Sequence, residues 1–298
     1  MICTICPRKC GVDRRESGDP AGAKGVCGSP LEPVLARAGL HFWEEPVISG
    51  TRGSGTVFFS GCNLRCVYCQ NYGISSLHRG RSVTVSRLRG IYDELIERGA
   101  HNINLVTPGH YVHAVLESLS EPLPVPVVYN TNGYDSVETL RKLEGKISIY
   151  LPDMKYADSA TAKKYSGAGD YFETASAAIL EMFRQTGPYE IGEDGLMKRG
   201  VIIRHLILPG HVMNSLRVLK WVEKNFRPGD VMFSLMHQYI PCGRVSETEF
   251  PELNRRITRA EYRRVESALL ETSIEDGYLQ EKPSASREFI PSFDGSGV

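Results

Sequence analysis

What this sequence lacks narrows its function first. No apolar run approaches the roughly 20 residues that a membrane-crossing helix needs. The N-terminus, Met1 to Cys10, has none of the apolar core of a signal peptide. There is no excess of charge: Lys+Arg and Asp+Glu both number 35, so neither a nucleic acid nor a membrane surface is an expected partner. No internal repeat and no low-complexity tract is visible. These absences point to a globular protein of the cytoplasm, where thiols stay reduced. Its 8 cysteines are then expected to be thiolates or metal ligands rather than disulfides.

What is present is uneven. Cys3, Cys6, Cys10 and Cys27 crowd the start, Cys62, Cys66 and Cys69 lie close together, and Cys242 stands alone. Residues 1–50 are rich in Gly, Pro and Cys, read as loop-like, and are expected to need a metal to fix them. The expected division is a small Cys-rich metal-binding module over residues 1–50 and a core over residues 51–298.

Within the core, strands are expected at Thr56–Ser60, Asn102–Val106, Val125–Tyr129, Ile147–Leu151, Val201–Leu208 and Val231–Met236. Several are nearly continuous apolar runs, as in parallel strands buried on both faces. Helical spacing falls between them, as in Leu88, Ile91 and Leu95 before Gly99. Asp135, Asp170, Asn214 and Thr258 read as N-caps, the first two and the last with a Glu three positions on. The Arg run at 255–264 is interleaved with Glu and reads as a solvated helix face. The last residues, Gly295–Val298, read as frayed. Strands alternating with helices make an α/β fold, either an open parallel sheet or a barrel, whose functional groups gather at the carboxyl ends of the strands.

The central stretch is Ser60-Gly61-Cys62-Asn63-Leu64-Arg65-Cys66-Val67-Tyr68-Cys69-Gln70-Asn71, directly after the first core strand. A CxxxCxxC loop offers three thiolates to a cubane of four irons and leaves one iron open to a small chelating ligand. A zinc site would need a fourth ligand, and none lies at close range in the sequence.

This loop resembles that of radical SAM enzymes, with Tyr68 as the aromatic residue before the third cysteine. The wider resemblance, over about residues 50–275, is to the branch containing pyruvate formate-lyase activating enzyme and its long homologues. It implies a partial (β/α)6 barrel with a C-terminal helix. It also implies a [4Fe-4S] cluster on Cys62, Cys66 and Cys69, and S-adenosylmethionine as cofactor. Asn130, Thr131, Asn132 and Gly133 resemble a segment beside bound SAM. Asp153-Met154-Lys155 resembles one in which Lys155 meets the SAM carboxylate or ribose and Asp153 helps hold a cation or orients that lysine. Arg204, His205 and Leu206 resemble a segment reaching SAM and packing on adenine, and Tyr68 and Asn71 lie on the same side. Met236, His237, Gln238 and Tyr239 are expected near the substrate. The Gly-Gly-Glu-type motif that such activases place after the second strand is missing. Thr107, Pro108 and Gly109 stand there instead, and backbone carbonyls or Thr107 are the expected substitutes in holding the SAM amine.

Cys3, Cys6, Cys10 and Cys27 suit a second, closed site for zinc or an auxiliary iron-sulfur cluster, and the choice stays open at this level. The expected chemistry is reductive cleavage of SAM to a 5′-deoxyadenosyl radical that takes a hydrogen atom from the substrate, with a flavodoxin or ferredoxin as reductant. Three roles fit: an activase acting on a glycyl radical enzyme, a radical enzyme acting on a small molecule or another protein, and a non-enzymatic iron-sulfur redox protein.

Overall fold

The computed structural model of the protein describes residues 2–14, 25–280 and 291–298. In chain order its elements are β1 (Val34–His41), α1 (Pro46–Ser49), β2 (Ser54–Phe59), α2 (Tyr72–Ser75), β3 (Arg81–Ser82), α3 (Val85–Glu97), β4 (Ile103–Val106), α4 (Val112–Ser118), β5 (Val127–Thr131), α5 (Val137–Lys142), β6 (Ile149–Pro152), α6 (Ser159–Ser166), α7 (Tyr171–Thr186), β7 (Glu190–Ile191), β8 (Met197–Leu206), α8 (Val212–Asn225), β9 (Met232–Met236), α9 (Arg259–Leu270) and β10 (Gly277–Leu279). Among the described residues no helix is long and apolar enough to cross a membrane.

The fold is mixed α/β around a largely parallel sheet. Strands β2, β4, β5, β6, β8, β9 and β10 run parallel in that spatial order, joined by helical crossovers. β1 pairs antiparallel with β2, and β3 with β1, at the other edge. All six expected core strands are present within a few residues of their expected bounds. Alternation along each strand divides the side chains between two faces. Leu105, Tyr129 and Tyr150 pack with Leu88, Ile91 and Leu95 of α3 in the large helix-covered core. On the opposite face Val128, Ile149, Ile202 and Met232 form a smaller apolar layer capped by Ile48 of α1. Further along the same face, toward the carboxyl ends, the residues turn polar at Asn130, Arg204 and Ser234, with Asn104 level with Val128 on the neighbouring strand. That change positions the site.

Several expectations are corrected. Residues 34–41 are not a loop but β1, so the sheet crosses the expected boundary at residue 50. Asp135 does not cap a helix: α5 starts after Ser136, and Asp135 instead accepts from the Tyr129 hydroxyl and from Thr131 Oγ1. Asp170 precedes α7 without a cap bond and accepts from the Tyr134 hydroxyl at 2.7 Å. Asn214 lies inside the first turn of α8, where it accepts from Ala157 N and donates to Lys155 O. In all three the partner offered by the fold outcompetes the local cap. Thr258 and Glu261 do form a reciprocal capping box on α9. The C-terminal residues are not frayed: Gly295 N donates to Ala36 O and Ala38 N to Ser296 O, both at 3.0 Å along β1.

Candidate functional site

The loop after β2 folds back on itself so that Cys62, Cys66 and Cys69 face one another across one cavity at the carboxyl ends of the strands. Cys62 and Cys66 are buried and Cys69 is half-buried. Each sulfur receives a hydrogen bond from a different element. Asn132 Nδ2, after β5, donates to Cys62 Sγ at 3.3 Å. Ser166 Oγ, at the end of α6, donates to Cys66 Sγ at 3.1 Å. Ser75 Oγ, in α2, donates to Cys69 Sγ at 3.3 Å. Burial pushes the Cys62 thiol up and Cys69 up to about 12, with each further raised by the nearby Cys66 sulfur. Such thiols stay protonated unless a cation neutralises them, and donors aimed at sulfur suit thiolates bound to a metal. This donor set fits an iron-sulfur cubane on three cysteines. Cys242 lines the same cavity, but its thiol donates to Tyr68 O at 3.1 Å.

Backbone strain marks the rim. Arg65 within the cysteine loop and Thr107 after β4 both hold left-handed φ, of 53° and 57°, unusual for residues with a Cβ. Gly61, at φ 84°, is required by closeness: a Cβ there would sit 2.9 Å from Cys27 O of the N-terminal segment.

The facing wall is an ionic chain. Lys155 Nζ donates to Asp153 Oδ2 at 2.6 Å. Arg204 Nε donates to Asp153 Oδ1 at 3.0 Å, its Nη2 to Asn130 Oδ1 at 2.6 Å and its Nη1 to Glu44 Oε2 at 3.2 Å. Burial alone would raise the Asp153 carboxyl, but Arg204 and Lys155 outweigh it and hold the group below its ordinary value. Burial raises Glu44 and Glu45 above theirs, against the opposing pull of Arg204.

Of the residues singled out in the sequence, Cys62, Cys66, Cys69, Tyr68, Asn71, Thr107, Asn130, Thr131, Asn132, Asp153, Lys155, Arg204 and Leu206 line this cavity together. Met236, Gln238 and Tyr239 join them. Others do not come to it, among them His205, Pro108, Gly109 and His237. His205 points to the other face of β8, fully buried between Met154 O and Ser215 Oγ, where burial lowers it to about 4. Its neighbour Arg204 takes the cavity side because strand residues alternate. Pro108 and Gly109 turn behind the rim, with Gly109 against Asp135 and the Tyr129 hydroxyl. His237 also lies outside the lining.

Sequence reasoning missed Glu44 and Glu45, which reach the polar layer from the segment between β1 and α1. It also missed Ser75 and Ser166, the donors to two of the sulfurs. Neither a motif nor a periodicity distinguishes these residues.

At the N-terminus, Cys6 is buried and pushed up to about 12 by that burial and by the nearby Cys27, Cys3 and Cys10 sulfurs. The segment is pinned to the cysteine loop: Arg8 donates to Asn63 O at 2.9 Å, Ser166 O at 2.8 Å and Gly167 O at 2.6 Å. Among the described residues no three His, Cys, Asp or Glu side chains close around a single metal-ion position.

Comparison with known proteins adds the family. The Radical SAM superfamily model matches residues 56–221, more than half of the chain. An uncharacterised protein of Methanocaldococcus jannaschii is 29% identical over 278 residues, covering 90% of this chain and 73% of that protein. Among solved structures, Streptococcus suis SuiB bound to S-adenosylmethionine aligns with a TM-score of 0.48 at 11% identity, over 74% of this chain and 48% of that one. Methylornithine synthase aligns at 0.48 and 15% identity, over 70% of this chain and 59% of that one. The chain thus spans about half the length of the solved structures it matches.

Proposed function

The chain belongs to the radical SAM superfamily, and on that premise we propose that it cleaves S-adenosylmethionine reductively at a [4Fe-4S] cluster held by Cys62, Cys66 and Cys69, then draws a hydrogen atom from a substrate. One observation carries this reading: three mutually facing thiols, each with its own hydrogen-bond donor, share a cavity with a buried Lys155–Asp153–Arg204 chain. Held by Cys62, Cys66 and Cys69, a [4Fe-4S] cluster would supply one electron to the sulfonium of SAM, breaking a carbon–sulfur bond to give methionine and a 5′-deoxyadenosyl radical.

The protein's own groups supply position and shelter. Lys155, aimed by Asp153, would take the SAM carboxylate or a ribose hydroxyl, since a zwitterion needs a fixed cation where water is scarce. Asn132 serves the loop: it donates to Cys62 Sγ and to Asn63 Oδ1 and accepts from Tyr134 N. Leu206 and Met236 would offer apolar surface to the adenine, and Thr107, at the strained turn after β4, would offer the amine an acceptor. The run of parallel strands and crossovers from β2 to β9 suits a partial (β/α)6 barrel open on one side.

The finer assignment is a glycyl-radical-enzyme activase of the pyruvate formate-lyase activating enzyme type. The Asn130–Gly133 and Asp153–Lys155 segments favour it. A second reading, a radical enzyme acting on a small molecule, is favoured by the cavity that Glu44 and Glu45 line beside the first. A flavodoxin or ferredoxin would deliver the electron. Cys3, Cys6, Cys10 and Cys27 would hold zinc or an auxiliary cluster.

The test is anaerobic reconstitution of the full chain, reduction with dithionite and addition of SAM. 5′-Deoxyadenosine and methionine should form, and Cys66→Ser should form none. A protein without a four-iron centre, or with one whose spectrum ignores SAM, would overturn the reading.

A further inference from the structure

On the same face of the sheet, beside the cysteine-lined cavity, lies a second cavity of about 320 Å³. The two share Arg204, Met236 and Gln238 as a common wall, and the second contains no cysteine. Glu44, Glu45 and Ser234 form its interior, and Trp43 and Tyr278 also line it.

Along the wall that the two cavities share, Glu44, Glu45 and Asp153 would be three carboxylates against two cations, Arg204 and Lys155, were all of them ionised, and burial of Glu44 and Glu45 opposes that. Arg204 pairs with Asp153 and Glu44, and Lys155 with Asp153. Glu45 is left over. Its side chain is in the interior, at 8% exposure, and its Oε2 has no hydrogen-bond partner. Ser234, at 1% exposure, lies near enough to favour the Glu45 charge, yet its hydroxyl makes no hydrogen bond of its own. Gln280 Oε1, on the same cavity, is buried without a partner as well. Buried acceptors left unmet cost stability unless something with donors arrives. Two of these three orphans accept only, one of them is a carboxyl, and two aromatic rings stand beside them. Such a lining selects a cation with several N–H donors.

We propose that this second cavity anchors the substrate by a primary ammonium group seated on Glu44 and Glu45, so that the enzyme acts on a small amine whose remaining chain reaches past Met236 and Gln238 toward the cysteine-lined cavity. The proposal rests on the radical SAM reading for what happens to that chain, but the ammonium seat itself needs neither cluster nor SAM. Because burial holds Glu44 and Glu45 above the ordinary carboxylate range, seating a cation should drive a proton off the pair.

The experiment is calorimetric titration of the full, reconstituted chain with n-butylammonium chloride, with n-butanol as the uncharged match. Two buffers of different ionisation heat read the proton release. Butylammonium should saturate with proton release and butanol should not. Glu45→Gln should weaken the ammonium at least tenfold, and saturating SAM should leave the isotherm in place. Equal binding of butanol, no saturation by butylammonium, unchanged affinity in Glu45→Gln or displacement by SAM would each overturn the proposal. The ammonium-versus-butanol contrast is read on the unaltered chain, so it stands even where the variant folds poorly. The two readings fail separately: SAM cleavage without an ammonium isotherm removes the seat alone, and an isotherm without 5′-deoxyadenosine removes the radical chemistry alone.

Discussion

Ser166 lies 100 residues beyond Cys66 in the chain, yet its hydroxyl donates to Cys66 Sγ at 3.1 Å. The Tyr156 hydroxyl, 2.7 Å from Ser166 Oγ, holds it in place. A hydrogen bond to a ligating sulfur favours the more negative, reduced cluster. Ser166→Ala should therefore lower the cluster's midpoint potential. A difference of about 1 kcal/mol corresponds to roughly 40 mV for one electron. A redox titration followed by electron paramagnetic resonance reads it, and Tyr156→Phe should give a smaller shift of the same sign. An unchanged potential in Ser166→Ala would remove the bond's electronic role.

Arg204 is the centre of the buried charges. It touches Asp153, Glu44 and Asn130. Arg204→Met leaves Glu44 without its ion-pair partner and takes one of two from Asp153, and removing one member of a buried pair costs about 3–5 kcal/mol. Urea unfolding should show that loss. Arg204→Lys should recover only part of it, because one ammonium cannot reach three partners set in a fork. A Lys variant as stable as the parent would mean that charge alone matters here.

Glu45 makes a prediction of opposite sign. Its folded carboxyl sits above the ordinary value of 4.5 through burial, so the folded state binds more protons than the unfolded one above that pH. Stability conferred by the protonated group is full below the unfolded value and drains away as pH rises through the folded one. Glu45→Gln should remove this slope and raise stability at neutral pH by about 1 kcal/mol. Asp153 runs the other way, since Arg204 and Lys155 hold it below 3.8 and its contribution is lost only in acid beyond that. Unfolding curves across pH 4 to 8 separate the two.

How much of this was legible in the sequence follows from how local each signal is. The core strands were legible because strands covered on both faces must be apolar along their length, and Val201–Ile203 or Val127–Tyr129 can hardly be anything else. The cysteine loop was legible because three thiolates at fixed spacing have few other uses. Asp135, Asp170 and Asn214 misled because a capping side chain is a local preference worth about 1 kcal/mol, and each found another partner, Asp135 six residues away and the other two across the fold. Glu44 and Glu45 were invisible for the reverse reason. A pair of acids in a Gly- and Pro-rich stretch looks solvated, and only the turn of the chain from β1 into α1 carries them inward.

Arg8 tests whether the N-terminal segment supports the cysteine loop or merely lies on it. Its guanidinium spends donors on three carbonyls, Asn63 O, Ser166 O and Gly167 O, and sits 5.1 Å from the centre of the Tyr134 ring. Asn63 lies between Cys62 and Cys66 in the loop, and Ser166 donates to the Cys66 sulfur, so one side chain braces both the loop backbone and that donor. Arg8→Met keeps the apolar stem and removes all three bonds, each worth about 1 kcal/mol or more with a charged donor. The expected result is a fall of several degrees in Tm and faster loss of iron from reconstituted protein to a chelator. Cys6→Ser should speed iron loss in the same direction if the segment needs its own metal to hold Arg8 in place. A faster release in Arg8→Met with none in Cys6→Ser would show that the brace works without a second metal, and no change in either would separate the segment from the cluster altogether.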